Sequence, residues 1–461
     1  MPWLNHSHNR KPVNWKTNLA AVWVSQFISL CAFYFCLPFL PLYLKEKQIV
    51  PVDETAFWSG IFIAAAPVSM MIMSPIWGML GDRYGRKMML VRATLAGAFV
   101  LYLMALVDNM EALIVLRLLQ GAFTGTVPSA QSLVAAATPE KHQGLALGLM
   151  MAAINAAYTA GAYFGGVFAE IYGAAATFKM AGFMLLAATA MVLTLVRENF
   201  VPPVRIVANT RSARLRRRKA GIQEFKSGIP VLLTIAFVAF LQTYDGPFLA
   251  LYVEDLFHAG NIPGMHGDIS GEVYRMTGSI NALASIIAVG GSISISYILD
   301  RNLPRAVWAF IALAGASGVF IICNFQSLAG LTAGRTVFLF FVSGIASMLV
   351  VILSRLTPPG KKGAAMGWSV TARSVGWTIA PLIGGWMVKD AAYGEAYWWL
   401  AVIGLLLIPA LLWLTFHYPE AFRKPPEDED DAETLDHVVM APQSLPITSQ
   451  QTTASGRYFQ E

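Results

Sequence analysis

The sequence predicts an all-α integral membrane protein, with twelve transmembrane helices forming two pseudo-symmetric six-helix bundles. Three observations lead there. Of 461 residues, 56% are hydrophobic and only 13% are charged, whereas average soluble domains carry about 25% charged residues. Twelve apolar runs follow one another, each near the ~20 residues needed to cross ~30 Å of hydrocarbon. The second half of the chain also repeats the first at a nearly constant offset. The runs are continuous rather than alternating, which selects helices over barrel strands.

The expected spans are 17–44, 56–80, 88–107, 110–136, 142–170, 176–196, 229–253, 274–299, 306–325, 328–355, 361–388 and 395–416. Asp82-Arg83 returns as Asp300-Arg301 and Arg117 as Arg335, both 218 positions later. Ser59-Gly60 returns as Thr277-Gly278 at the same offset, and Gly165-Gly166 as Gly384-Gly385 at 219. Pro38-Phe39-Leu40 returns as Pro247-Phe248-Leu249 at 209, so about nine residues were added after the seventh span. Duplicated bundles of this kind suit carriers that rock two repeats around a site at mid-bilayer.

Basic residues set the orientation. With the N-terminus in the cytoplasm, the inner loops collect Arg83, Arg86, Lys87, Lys141, Arg301, Arg305, Arg355, Lys361 and Lys362. The outer loops carry Glu46, Asp53, Glu54, Asp108, Glu254, Asp255, Asp268 and Glu272. The expected organisation is a cytoplasmic leader (1–16), a first bundle (17–197), a basic cytoplasmic linker (198–228), a second bundle (229–416) and a disordered acidic tail (417–461). The linker bases satisfy positive-inside topology and suit anionic headgroups. They lack the aromatic interleaving of a nucleic-acid module, so no nucleic-acid partner is expected. The first apolar run is a full span rather than a cleavable signal. Cys31, Cys36 and Cys323 all lie in spans, and no disulfide framework is expected.

Gly78-Met79-Leu80-Gly81-Asp82-Arg83-Tyr84-Gly85-Arg86-Lys87 resembles the signature loop between the second and third spans of the major facilitator superfamily. The resemblance covers about residues 17–416 and implies a cytoplasmic gate, with Asp82 facing the N-terminus of the eleventh span. An anion there is favoured by the helix dipole. Leu113 to Gly121, with Arg117 and Gln120, resembles the fourth-span motif that the family associates with proton coupling. The family's exporters carry a small residue, three others, Gly-Pro, two others and Gly-Gly in the fifth span. Here Ala157 and Ala162 stand where Gly and Pro are expected, followed by Gly165-Gly166, with Gly161 preceding Ala162. The eleventh-span copy keeps Gly376, Pro381 and Gly384-Gly385. Small residues at this spacing let helices approach closely. The whole chain is most similar to the twelve-helix drug:proton antiporters of bacteria, particularly the multidrug subgroup.

Depth along each span selects the candidates for the cavity: Gln26, Tyr34, Asn155, Tyr158, Gln242, Arg373 and Trp377. Asn155 and Tyr158 share a face of the fifth span, as Gln242 and Asp245 do in the seventh. Asp245 is the one acid placed well inside a span, and an intramembrane carboxylate is a functional candidate by default. Arg117, Arg335 or Arg373 is its expected charge partner. Arg335 lacks the Gln and Gly that follow Arg117, which points it towards a structural role. Asp245 and Arg117 are therefore the proton-coupling candidates.

The seven histidines all fall in loops, tails or span ends, so no metal site is expected. Neither a nucleophile with its base nor a phosphate-cradling loop occurs, so neither catalysis nor ATP-driven transport is expected. The reading is a secondary transporter exporting amphipathic small molecules or drugs by alternating access. It needs no cofactor and is driven by the proton gradient. Its partners are its small-molecule substrate, protons and the lipid bilayer, and it is expected to be a monomer in the bacterial cytoplasmic membrane with both termini inside. Two alternatives remain: a specific exporter or symporter for a sugar, siderophore or lipid, and a non-transporting sensor or scaffold using the linker and tail.

Overall fold

The computed structural model describes residues 14–198, 228–258, 269–299, 301, 304–357, 362–390 and 392–422. The leader to residue 13, most of the basic linker, Asp300 and the acidic tail from 423 lie outside the described residues. The first repeat contains α1 (Trp15–Cys36), α2 (Leu40–Glu46), α3 (Thr55–Tyr84), α4 (Arg86–Met104), α5 (Met110–Phe123), α6 (Thr126–Ala137), α7 (Glu140–Tyr172) and α8 (Ala174–Leu195). The second contains α9 (Ile229–Thr243), α10 (Leu249–His258), α11 (Ile269–Leu299), α12 (Arg305–Asn324), α13 (Leu328–Arg355), α14 (Lys362–Asp390), α15 (Tyr393–Leu405) and α16 (Leu407–His417). Among the described residues, nine helical stretches are long and apolar enough to cross a membrane. Ile229–Thr243 is apolar but shorter, while α7 and α14 run 33 and 29 residues.

The sequence draws each span as one helix, but the structure divides four of them. The first span breaks after Cys36, where a 3₁₀ turn over Leu37–Phe39 carries Pro38. The seventh breaks after Thr243 in a turn through Pro247. Proline lacks the N–H a continuous helix needs, so the repeated Pro-Phe-Leu enforces the same break twice. The fourth span breaks at Gly125, whose φ of +127° favours glycine. The twelfth breaks at Leu406. Caps are repeated as well: Asn109 accepts from the Ala112 N–H at 2.8 Å and Ser327 from the Gly330 N–H at 3.1 Å. These caps start α5 and α13, the helices that carry Arg117 and Arg335.

Within the first bundle α1 packs on α7 and α8, α4 on α8, and α3 on α5. The second repeats this, with α9 packed on α14, α11 on α13 and α12 on α13 and α15. Side chains such as Phe99, Phe183, Leu233 and Phe310 remain exposed on the outer surfaces, as a lipid-facing wall requires. The bundles meet along two related seams, α7 against α11 and α3 against α14. At the first seam the Cα of Gly278 approaches to 3.1 Å of where a Gly166 side chain would begin. At the second, a side chain at Gly385 would begin 2.5 Å from the Ala56 carbonyl, and Gly60 lies against the Pro381 carbonyl. Both seams therefore require glycine.

Polar bridges close the same end, where α2 finishes and α3 begins. Lys45 meets Glu254 at 2.7 Å, Lys389 meets Glu54 at 2.9 Å, and Arg275 meets Glu170 at 3.4 Å. The Tyr274 hydroxyl donates to Glu46 at 2.9 Å. All four join one bundle to the other. The signature loop lies at the opposite end.

Candidate functional site

Asp245 ends up beside the break in the seventh span, buried in the second bundle. Its Oδ2 receives the Arg335 Nε–H at 2.6 Å and the Tyr397 hydroxyl at 3.3 Å, and Oδ1 lies 3.5 Å from an Arg335 terminal nitrogen. Its backbone carbonyl accepts from Phe248 and Leu249 at 3.1 and 2.8 Å, starting α10. Phe248 stacks edge-on against Tyr244 and Tyr397, with ring centroids 5.8 and 5.4 Å apart. An ion pair walled by aromatic rings ties the turn between α9 and α10 to α13 and α15. Removing one member of such a buried pair typically costs ~3–5 kcal/mol, because the other charge is left uncompensated.

The structure does not bring Asp245 to Arg117. It selects Arg335, the arginine that the sequence assigns to structure. Arg117 is buried in the first bundle, where it donates to Gln120 and lies 5.1 Å from the Phe62 ring. Its Nε has no hydrogen-bond partner. Cys36 and Tyr34 lie within its electrostatic reach. Cys36 is the repeat mate of Asp245, 209 positions earlier, and Phe178 is the mate of Tyr397 at 219. Cys36, Phe178 and Tyr397 escape a search for charged residues alone; applying the repeat offsets to Asp245 and its neighbours would have found them.

Several cavity candidates gather between the bundles. Tyr34 and Tyr158 touch, with ring centroids 4.1 Å apart. Arg373, from α14 of the other bundle, acts electrostatically on Tyr158, and its Nε has no hydrogen-bond partner. Other candidates are satisfied locally. Gln242 donates to Ser343 at 3.1 Å, and Gln26 to Thr126 at 3.4 Å, though Gln26 Oε1 is unpartnered. Asn155 and Trp377 are half-buried. In the fifth- and eleventh-span motifs, Gly161 and Gly165 sit against the α1 backbone at Cys31 and Phe35, while Gly376 and Gly384 sit against α9 at Ala236 and Tyr244.

The signature loop is bound within its own bundle. Arg86 donates to the Ser132 carbonyl at 3.0 Å, and Lys87 to those of Leu193 and Val196 at 2.9 and 2.7 Å. Arg83 lies over Tyr84 at 5.3 Å. Gly85 takes a φ of +97° to start α4. The backbone N–H groups of Arg86 and Lys87 donate to the two carboxylate oxygens of Glu198, at 2.9 and 2.7 Å. An acid at a helix N-terminus is favoured by the dipole, and its place just after the sixth span was the overlooked signal. Gly78 and Asp82 lie in α3, but the surroundings of both fall outside what is described, and so does the contact expected of Asp82.

The family model of the major facilitator superfamily matches residues 22–331 and 268–450. The chain belongs to this superfamily. Members of it are transporters rather than enzymes, and this chain is a multi-pass membrane protein of that kind. It is similar to the multi-drug resistance efflux pump PmrA of Streptococcus pneumoniae, 28% identical over 387 residues covering 84% of this chain and 93% of that protein. It is likewise similar to the multidrug resistance protein MdtG of Proteus mirabilis, 28% identical over 420 residues covering 89% and 99%. Among solved structures, a D-xylose-proton symporter gives a TM-score of 0.66 at 16% identity, covering 87% of this chain and 97% of the symporter. A bacterial homologue of the lysosomal transporter Spinster gives 0.67 at 14% identity, covering 91% and 100%. These two share the superfamily fold.

Proposed function

We propose that this transporter exports amphipathic small molecules by alternating access, driven by protons entering the cell across the bacterial cytoplasmic membrane. The observation that carries the reading is Asp245, the single buried carboxylate among the described residues, held by Arg335 and Tyr397. A group that can be charged or neutral, joined to two helices from the break in a third span, couples protonation to helix position. Protonation from outside neutralises Asp245 and weakens its hold on Arg335. Release of the proton inside restores the pair. Export as the direction is supported by relatives named as efflux pumps.

Placing the bases of the signature loop in the cytoplasm makes the clasped seams the outer gate. Opening them requires Gly60 and Gly278 to separate from their partners while the loop end closes. Asp82 then meets the start of α14 and latches the inner side. The test is transport in proteoliposomes under an imposed pH gradient. Wild-type protein should move dye against its gradient, whereas Asp245→Asn should lose accumulation and keep downhill exchange. Gradient-driven pumping by the Asn variant with ordinary proton dependence would move coupling away from Asp245.

A further inference from the structure

We infer that the substrate site between the bundles takes an amphipathic organic anion: a carboxylate, sulfonate or phosphate carried on a flat or aromatic body. The inference rests on the reading of this chain as a carrier. Its basis is a charge imbalance deep in the molecule. The buried carboxylate Asp245 is already occupied by Arg335. Among the described residues Arg117 and Arg373 have no ion-pair partner, and each leaves its Nε without a hydrogen-bond acceptor.

Both cations act electrostatically on one pair of touching rings, Tyr34 and Tyr158. Arg117 is within electrostatic reach of Tyr34, Tyr34 touches Tyr158, and Tyr158 is within reach of Arg373. The row crosses from the first bundle to the second, so a ligand seated on it contacts both moving parts. An unpaired guanidinium inside a membrane protein is costly and favours an anion in an adjacent cavity. Guanidinium matches carboxylate and phosphate geometry through two parallel hydrogen bonds, while the tyrosine rings supply an apolar face with polar tips. A lipophilic cation would meet only repulsion from the two arginines. Arg92, another cation with unpartnered nitrogens, is engaged elsewhere, 3.4 Å over the Trp77 ring.

The test uses two xanthene dyes of opposite charge, carboxyfluorescein and rhodamine 6G, titrated by anisotropy into the purified full-length protein. Carboxyfluorescein should bind at least about tenfold more tightly. Arg373→Gln should weaken it about ten- to a hundredfold, the usual effect of losing a charged hydrogen-bond partner, and leave rhodamine 6G unchanged or tighter. Arg373→Lys, which keeps the charge without the fork, should fall between; it decides the matter together with the wild-type preference if the Gln variant fails to fold. Equal or tighter binding of rhodamine 6G by wild-type protein, or unchanged carboxyfluorescein binding by Arg373→Gln, overturns the inference. Displacement of carboxyfluorescein by dihexanoyl phosphatidic acid but not by phenyl phosphate assigns the anion to a lipid headgroup. Displacement by both assigns it to soluble anions. Rhodamine 6G pumping without anion binding ends this inference and keeps the exporter reading, whereas anion binding without flux of any dye does the reverse.

Discussion

The two bundles contain the same pocket, equipped differently. Each has a capped helix carrying a buried arginine, within electrostatic reach of a residue beside a proline-induced break. In the second bundle that residue is Asp245, with Tyr397 donating to it. In the first it is Cys36, with Phe178 at the tyrosine's position. Cys36 turns its thiol onto the Ala32 and Phe33 carbonyls of its own helix, so Arg117 has no anion. One copy is a closed ion pair, and the other is a guanidinium held by Gln120 with no ion-pair partner among the described residues. Duplication supplied the scaffold twice, and divergence at two side chains separated the proposed duties.

The largest effect should come from erasing the difference in the second bundle. Asp245→Cys puts the first bundle's residue in the second and should abolish pH-gradient-driven transport while downhill exchange survives, which proteoliposome flux measures. Next in size is closure at the seams. Gly278→Leu and Gly60→Leu place side chains into backbone contacts, and each should cut transport about tenfold or more, because a sub-ångström misfit in a packed interface is not absorbed. Cysteine accessibility at Lys45 should rise in both variants. Equal losses would show that the two seams act as one symmetric gate. A smaller effect is expected from converting the first pocket towards the second. Cys36→Asp gives Arg117 a counter-ion and should raise stability by ~1–3 kcal/mol, read as a higher melting temperature, while weakening anion binding. Smallest is the Lys45–Glu254 bridge, partly exposed at 34% and 18% and therefore worth ~0.2–1 kcal/mol. Glu254→Gln should shift the melting temperature only slightly.

Much of this was readable before any coordinates. The repeat offsets paired Gly60 with Gly278 and Gly166 with Gly385, though not the seams these glycines line. Hydropathy located Asp245 at depth. It could not choose among three arginines, since position along a span gives height in the membrane but not the direction a side chain faces. The same limit hid the clasp: Glu46, Glu54 and Glu254 read as topogenic acids because the sequence does not show which loops meet across the bundles. Glu198 was legible only through its place just after the sixth span. Its partners are backbone N–H groups, which leave no mark in residue identity. The helix breaks after Cys36 and Thr243 were written in the prolines, yet apolar continuity outweighed them.

The Lys45–Glu254 bridge has a consequence for how the halves can be exchanged. The two residues occupy equivalent places in the repeats, 209 positions apart, and meet because equivalent places coincide at the pseudo-twofold axis. A chain built from two first halves would set lysine against lysine there, and one built from two second halves would set glutamate against glutamate. Like charges at such a contact repel rather than bind. Whatever self-pairing the single unit once had, these halves have become a complementary couple, each now fitting its sibling better than a copy of itself.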